Sequence, residues 1–96
     1  MKPPRAIDGA TVLRFADLST TSRTGKTRHI VHGREATNFA ALAIAQYQSD
    51  PGFYLFYCDG DWNTITDTYH DTIDAAIAQA QFEFGSVAFS DAEPES

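Results

Sequence analysis

Two turn signals, Ser49-Asp50-Pro51-Gly52 and Asp59-Gly60, frame the apolar run Phe53 to Cys58, FYLFYC, and they constrain the fold more than any other feature of the chain. Proline sets its own φ and glycine is free to take φ > 0, so the first tetrapeptide reverses the chain tightly. An aromatic-rich run between two reversals reads as a strand. The segment before it, Phe39 to Gln48, FAALAIAQYQ, is ambiguous alone, because alanine favours helix while Leu42, Ile44 and Tyr47 fit either period. A tight turn leading straight into a strand selects a strand on its near side as well. After Asp59-Gly60, the segment Trp62 to Tyr69 places Thr64, Thr66 and Thr68 on one face and Ile65, Asp67 and Tyr69 on the other. The middle of the chain is therefore expected to be an antiparallel meander.

The period then changes. Ile73, Ala76, Ile77, Ala80 and Phe84 recur at helical spacing, Thr72 stands where an N-cap belongs with Asp74 in the first turn, and Gly85 stands where a C-terminal glycine cap belongs. A helix is expected over Thr72 to Phe84, packed on the sheet through Ile73, Ile77 and Phe84. Upstream, Ala10 to Asp17 has strand character. Leu18 to Lys26 reads as a Ser/Thr/Gly loop, Thr27 to His32 as a returning strand that would make a hairpin with a basic tip, and Gly33 to Asn38 as a break. Ser86 to Phe89 reads as a short final strand or a packed tail. Residues 1–9 read as a loose lead-in and residues 90–96 as a solvated acidic tail. The expectation is one α+β domain over residues 1–96: four or five antiparallel strands in a meander with one C-terminal amphipathic helix on one face.

Ninety-six residues with 43% apolar content support one modest core. The single cysteine, Cys58, excludes an internal disulfide and a multi-cysteine metal site, which suits a reducing compartment. The early residues lack a secretory pattern and no long apolar run offers a membrane span, so a cytoplasmic location is expected.

Charge is the unusual property. The formal net charge is −6, and all seven basic residues, Lys2, Arg5, Arg14, Arg23, Lys26, Arg28 and Arg34, precede residue 35. Beyond that point every ionised group but histidine is acidic, and only Asp8 and Asp17 of the thirteen acids lie before it. A polyanion is a poor partner for such a surface, so direct nucleic-acid binding is not expected, and the basic loop, Arg23, Lys26 and Arg28 with Arg34 beyond, is expected to pair with the chain's own acidic half.

Spacing limits what the individual sites can do. Asp59, Asp61 and Asn63 fall at positions 1, 3 and 5 of a calcium loop, with Ile65 and Asp67 at 7 and 9, but Thr64 replaces the required glycine and His70 the bidentate glutamate. His29 and His32 point to opposite faces of a strand and make a poor metal pair. His70 with Asp67 and Asp71, or Cys58 with a histidine, would be the acid–base and nucleophilic alternatives, yet Cys58 ends an apolar strand and shares no motif with a histidine. No catalytic residue, metal or cofactor is expected, and the chain is not read as an enzyme. The acidic aromatic segment is more informative. A one-sign field steers a protein onto a basic partner, and aromatics beside the acids supply anchors. Asp59, Asp61, Trp62, Asp67, Tyr69, Asp71 and Asp74 are the expected partner-binding residues, with Tyr57 a further aromatic beside them.

The stretch Gly52 to Gly85, with its Phe-Tyr-Cys-Asp, Asp-Trp-Asn and Thr-Asp-Thr runs, resembles small bacterial immunity proteins that accompany polymorphic or secreted toxins. The order of strands followed by Thr72-Ile-Asp-Ala-Ala at a helix start also looks like HicB-type antitoxins, with Asp74 where their opening commonly has Glu. Both resemblances imply the same work, occupying a toxin. Taken with the acidic surface, the expectation is a monomer or homodimer that binds and neutralises a basic toxin, for instance a nuclease. The other readings are a subunit or adaptor of a larger assembly, or a small cation-binding module or enzyme.

Overall fold

The computed structural model describes residues 2–18, 30–31, 34–35, 39–85 and 87–92. Its elements are β1 (Ala6–Ile7), β2 (Ala10–Asp17), β3 (Ile30–Val31), β4 (Arg34–Glu35), β5 (Ala41–Gln46), β6 (Phe53–Cys58), β7 (Thr64–His70), α1 (Ile73–Phe84) and β8 (Ser90–Asp91). The α+β architecture is the expected one: a curled antiparallel sheet in the order β1-β2-β5-β6-β7, with β8 also on β2 and the helix on one face.

The meander β5–β6–β7 follows the turn signals, with Ala43 opposite Phe56 and Phe56 opposite Asp67. β5 is a strand despite its alanines because it is buried on both faces. Leu42 and Ile44 enter a core with Leu55, Tyr57, Ala76, Ala80 and Phe84, while Ala41, Ala43 and Ala45 enter a second core with Ile7, Val12, Phe56, Cys58 and Trp62. Tertiary burial outweighs a propensity that is worth only fractions of a kcal/mol per residue. Small side chains on the second face let the sheet curl over that core.

Helix α1 begins at Thr72, whose hydroxyl accepts from the Ala75 N–H at 3.0 Å. It ends at Gly85, φ 74°, whose N–H donates to the Gln81 carbonyl at 2.8 Å. Ala76 and Ala80 are buried at the contact and allow close approach of helix to sheet.

Four expectations change. Residues 1–9 are not all loose: Asp8 and Gly9, both at positive φ, make a two-residue turn that pairs β1 with β2. The partner of β2 is β5, while Ile30–Val31 pairs with Arg34–Glu35, so the hairpin expected between Ala10–Asp17 and Thr27–His32 is not the pairing found. The apolar β5 demands neighbours on both edges, and β2 supplies the second. Arg34–Glu35 is a strand inside the expected break. Most of the Ser/Thr/Gly loop, with Arg23, Lys26, Arg28, His29 and His32, lies outside the described residues. Lastly, residues 87–89 take the packed-tail alternative, with Val87 buried in the first core and Phe89 against it, and the acidic end is not wholly solvated. The last strand is Ser90–Asp91 in the expected tail, held to β2 by a ladder and by an Arg14–Asp91 ion pair at 2.8 Å. Residues 93–96 lie outside the described residues.

Candidate functional site

The acidic aromatic segment begins at the β6–β7 turn. The carboxylate of Asp59 turns back on its own loop. Oδ1 accepts from the N–H groups of Asp61 and Asn63, both at 2.9 Å, and Oδ2 from the Asn63 amide at 3.1 Å. These donors favour the ionised form and hold its pKa below the usual carboxylate value. Asp59 thus shapes the turn, and its oxygens face the loop more than a partner.

In the turn that Asp59-Gly60 marks, the positive φ falls on Trp62, at 64°. This left-handed conformation costs a non-glycine residue about 1 kcal/mol. It swings the indole into the second core, where the ring is 9% exposed and meets Phe15 edge-on at 6.2 Å. Trp62 is therefore a core residue and does not present its ring as an interface anchor. Tyr57 is likewise fully buried.

The remaining residues are strung along one edge. Asp61 is exposed in the β6–β7 turn, Asp67 and Tyr69 are exposed on β7, and Asp71 and Asp74 are exposed where β7 passes into α1. At about 3.3 Å per residue, β7 separates its two ends by about 20 Å. The structure therefore brings them together as a row along β7 and not as a compact cluster. No described strand lies beyond β7.

Tyr69 is 48% exposed yet fixed. Its ring meets Tyr54 edge-on at 5.1 Å, and its hydroxyl donates to Asp50 Oδ1 at 3.2 Å. Asp50 also accepts from the Gly52 N–H at 2.9 Å and the Tyr54 hydroxyl at 3.4 Å. Gly52 has to be glycine for a spatial reason: a methyl group there would overlap the Tyr69 phenol. Partial desolvation and the neighbouring Asp50 carboxylate raise the pKa of both Tyr54 and Tyr69.

A second constellation lies beneath the helix, and sequence reasoning missed its centre. Glu83 is only 1% exposed and is the one buried charged residue among those described. The Tyr57 hydroxyl donates to it, as does the Gln79 amide at 3.0 Å. Burial, then Glu83, pushes the Tyr57 phenol far above its ordinary range. Thr68 Oγ1 and His70 Nε2 lie 2.7 Å apart on the helix-facing side of β7, and burial lowers the His70 pKa against the pull of Glu83 and Asp71. The signal was available, since Glu83 sits at i+3 from Ala80 and i+7 from Ala76, on the apolar stripe of the helix. Placed between helix and sheet, this network ties the layers together.

Cys58 is fully buried, and its thiol is pushed up to about 12, foremost by burial. A thiol so protonated is a poor nucleophile. Among the described residues no three of His, Cys, Asp and Glu converge on a possible metal position. An open depression of about 620 Å³ beside the β5–β6 turn is lined by Thr11, Leu13, Gln46, Tyr47 and Asp50, among others, and its single carboxylate is the one already holding Gly52 and the tyrosines. No described helix is long and apolar enough to cross a membrane. No family model, curated protein or solved structure matches the chain.

Proposed function

We propose that the chain is an acidic inhibitor of the immunity or antitoxin type, which binds a basic toxin protein and covers its functional surface. The observation that carries this reading is the row of exposed carboxylates, Asp61, Asp67, Asp71 and Asp74, along β7, in a half of the chain without a single lysine or arginine. Such a row works against the isolated fold by self-repulsion, and it is useful when a cationic surface comes to neutralise it. Long-range attraction then sets the association rate, and desolvated pairs hold the complex. Tyr69, already immobilised, adds an aromatic contact at little conformational cost. A nuclease, whose phosphate cleft must be cationic, is the target class that this charge suits best.

The test is capture of the partner from the source lysate at low salt, followed by kinetics with the purified pair. The expected partner is one basic protein whose association slows steeply with salt. Charge reversal, Asp61→Lys with Asp67→Lys, slows association at least tenfold and flattens that salt dependence. Unchanged kinetics in the doubly reversed protein would remove the β7 row from the function.

A further inference from the structure

Resting on that reading and deepening it, we propose that β7 is a strand-addition site, along which an extended basic segment of the partner pairs antiparallel and continues the sheet. The two sides of the sheet are unequal. Beyond β2 lie two short strands, β1 and β8, of two residues each, which between them occupy that edge. At the other side β7 is seven residues long with no described strand beyond it, so its outward N–H and C=O groups form a template for another chain.

The position of Asp67 selects the occupant. It is the middle residue of Thr64–His70, so the longest two-fold pairing of β7 with a second copy sets Asp67 opposite Asp67. Like charges directly opposite destabilise a strand pair, and a net charge of −6 on each copy opposes the approach as well. A strand with lysine or arginine opposite Asp67 reverses both terms. Asp67 and Tyr69 share a face, as their partners Phe56 and Tyr54 do. A cation opposite Asp67 therefore has its Cβ about 5 Å away and lies about 7–8 Å diagonally from Tyr69, within reach of its ring for a long side chain. On the helix-facing side Thr66, Thr68 and His70 are partly exposed and polar, which suits hydroxyl side chains. The recognised segment thus alternates basic and hydroxyl residues.

The full-length ¹⁵N-labelled protein is titrated with a nine-residue peptide alternating Lys and Thr. A second peptide has the same sequence with N-methyl groups on the alternate amides of one edge, which keeps the charge and removes the ladder. The expected result is binding of the first peptide with slowed amide exchange at alternate residues of β7, and at least tenfold weaker binding of the second. Asp67→Lys should lose the Lys/Thr peptide and gain a Glu/Thr one. Equal binding of both Lys/Thr peptides would overturn strand addition while leaving the basic-partner reading intact. Absence of binding by either overturns the strand site, and β7 protection that grows with protein concentration alone assigns the edge to a second copy instead. The proposed function stands or falls separately, on the kinetics with the captured partner.

Discussion

Tyrosine meets carboxylate twice in this molecule, and the two meetings differ in almost every respect. Beneath the helix, Tyr57 donates to Glu83 with both residues out of water. At the β5–β6 turn, Tyr69 and Tyr54 donate to Asp50 in contact with solvent. The chemistry is the same and the reference state is not. A buried carboxylate that loses its donor keeps the desolvation cost and has nothing to replace the bond, whereas an exposed one exchanges a phenol for water. The inner pair consequently fixes how helix and sheet sit together, and the outer group sets the pose of a surface ring.

The comparison can be broken most directly by Tyr57→Phe, which keeps the ring and removes the phenol donor from Glu83. A loss of about 3 kcal/mol is expected, read as a shift in urea midpoint. A loss under about 1 kcal/mol would mean that the layers do not depend on the tie. The same burial predicts alkaline sensitivity. Tyr57 and Cys58 hold their protons more tightly folded than unfolded, so as pH rises past the unfolded values, about 8.5 for Cys and about 10 for Tyr, the unfolded state ionises first and stability declines. Cys58→Ala should remove the earlier part of that decline, and the native thiol should stay silent to a disulfide reagent at pH 8.

Smaller effects belong to the outer group. Gly52→Ala drives a methyl into the Tyr69 phenol and should cost about 1–2 kcal/mol, with chemical-shift changes at Tyr69 and Tyr54. His70 lies between the two regimes. Its folded pKa is lowered, so the unfolded state takes up the proton first and stability should fall as pH drops through about 6.5, a shoulder that His70→Gln removes. Tyr69→Phe should leave the urea midpoint unmoved; a clear shift would show that the outer contact to Asp50 is as structural as the inner one.

What could be read from the sequence follows range of interaction. Strands β6 and β7 and helix α1 are marked by nearby turns, caps and periodicity, and they appear within a residue or two of their expected limits. The Asp8-Gly9 turn is equally local, but two prolines and a glycine within nine residues read as a loose lead-in. The pairing of β2 with β5 has no local mark, since it is decided by what else can cover an apolar strand. Trp62 sits among acids, which suggested a solvent-facing ring, but one backbone residue at positive φ breaks the alternation and turns it inward. Nothing in the residue type of Glu83 signals burial, and only its place on the buried stripe does. Of the seven residues expected to meet a partner, Asp61, Asp67, Tyr69, Asp71 and Asp74 are exposed, because exposure of charge on a strand edge or helix start follows from simple alternation.

The continuous run from β5 through α1 contains no cleavage point for trypsin, because the last lysine or arginine of the chain is Arg34. A routine tryptic digest leaves everything from Glu35 to Ser96 as one long acidic peptide, and mass spectrometry of the native complex will underreport this protein unless a glutamyl or aspartyl protease is used. The same distribution helps the biochemist elsewhere. The only lysines of this sequence are Lys2 and Lys26, so a sensor chip or an affinity resin prepared by amine coupling leaves every side chain of β7 unmodified.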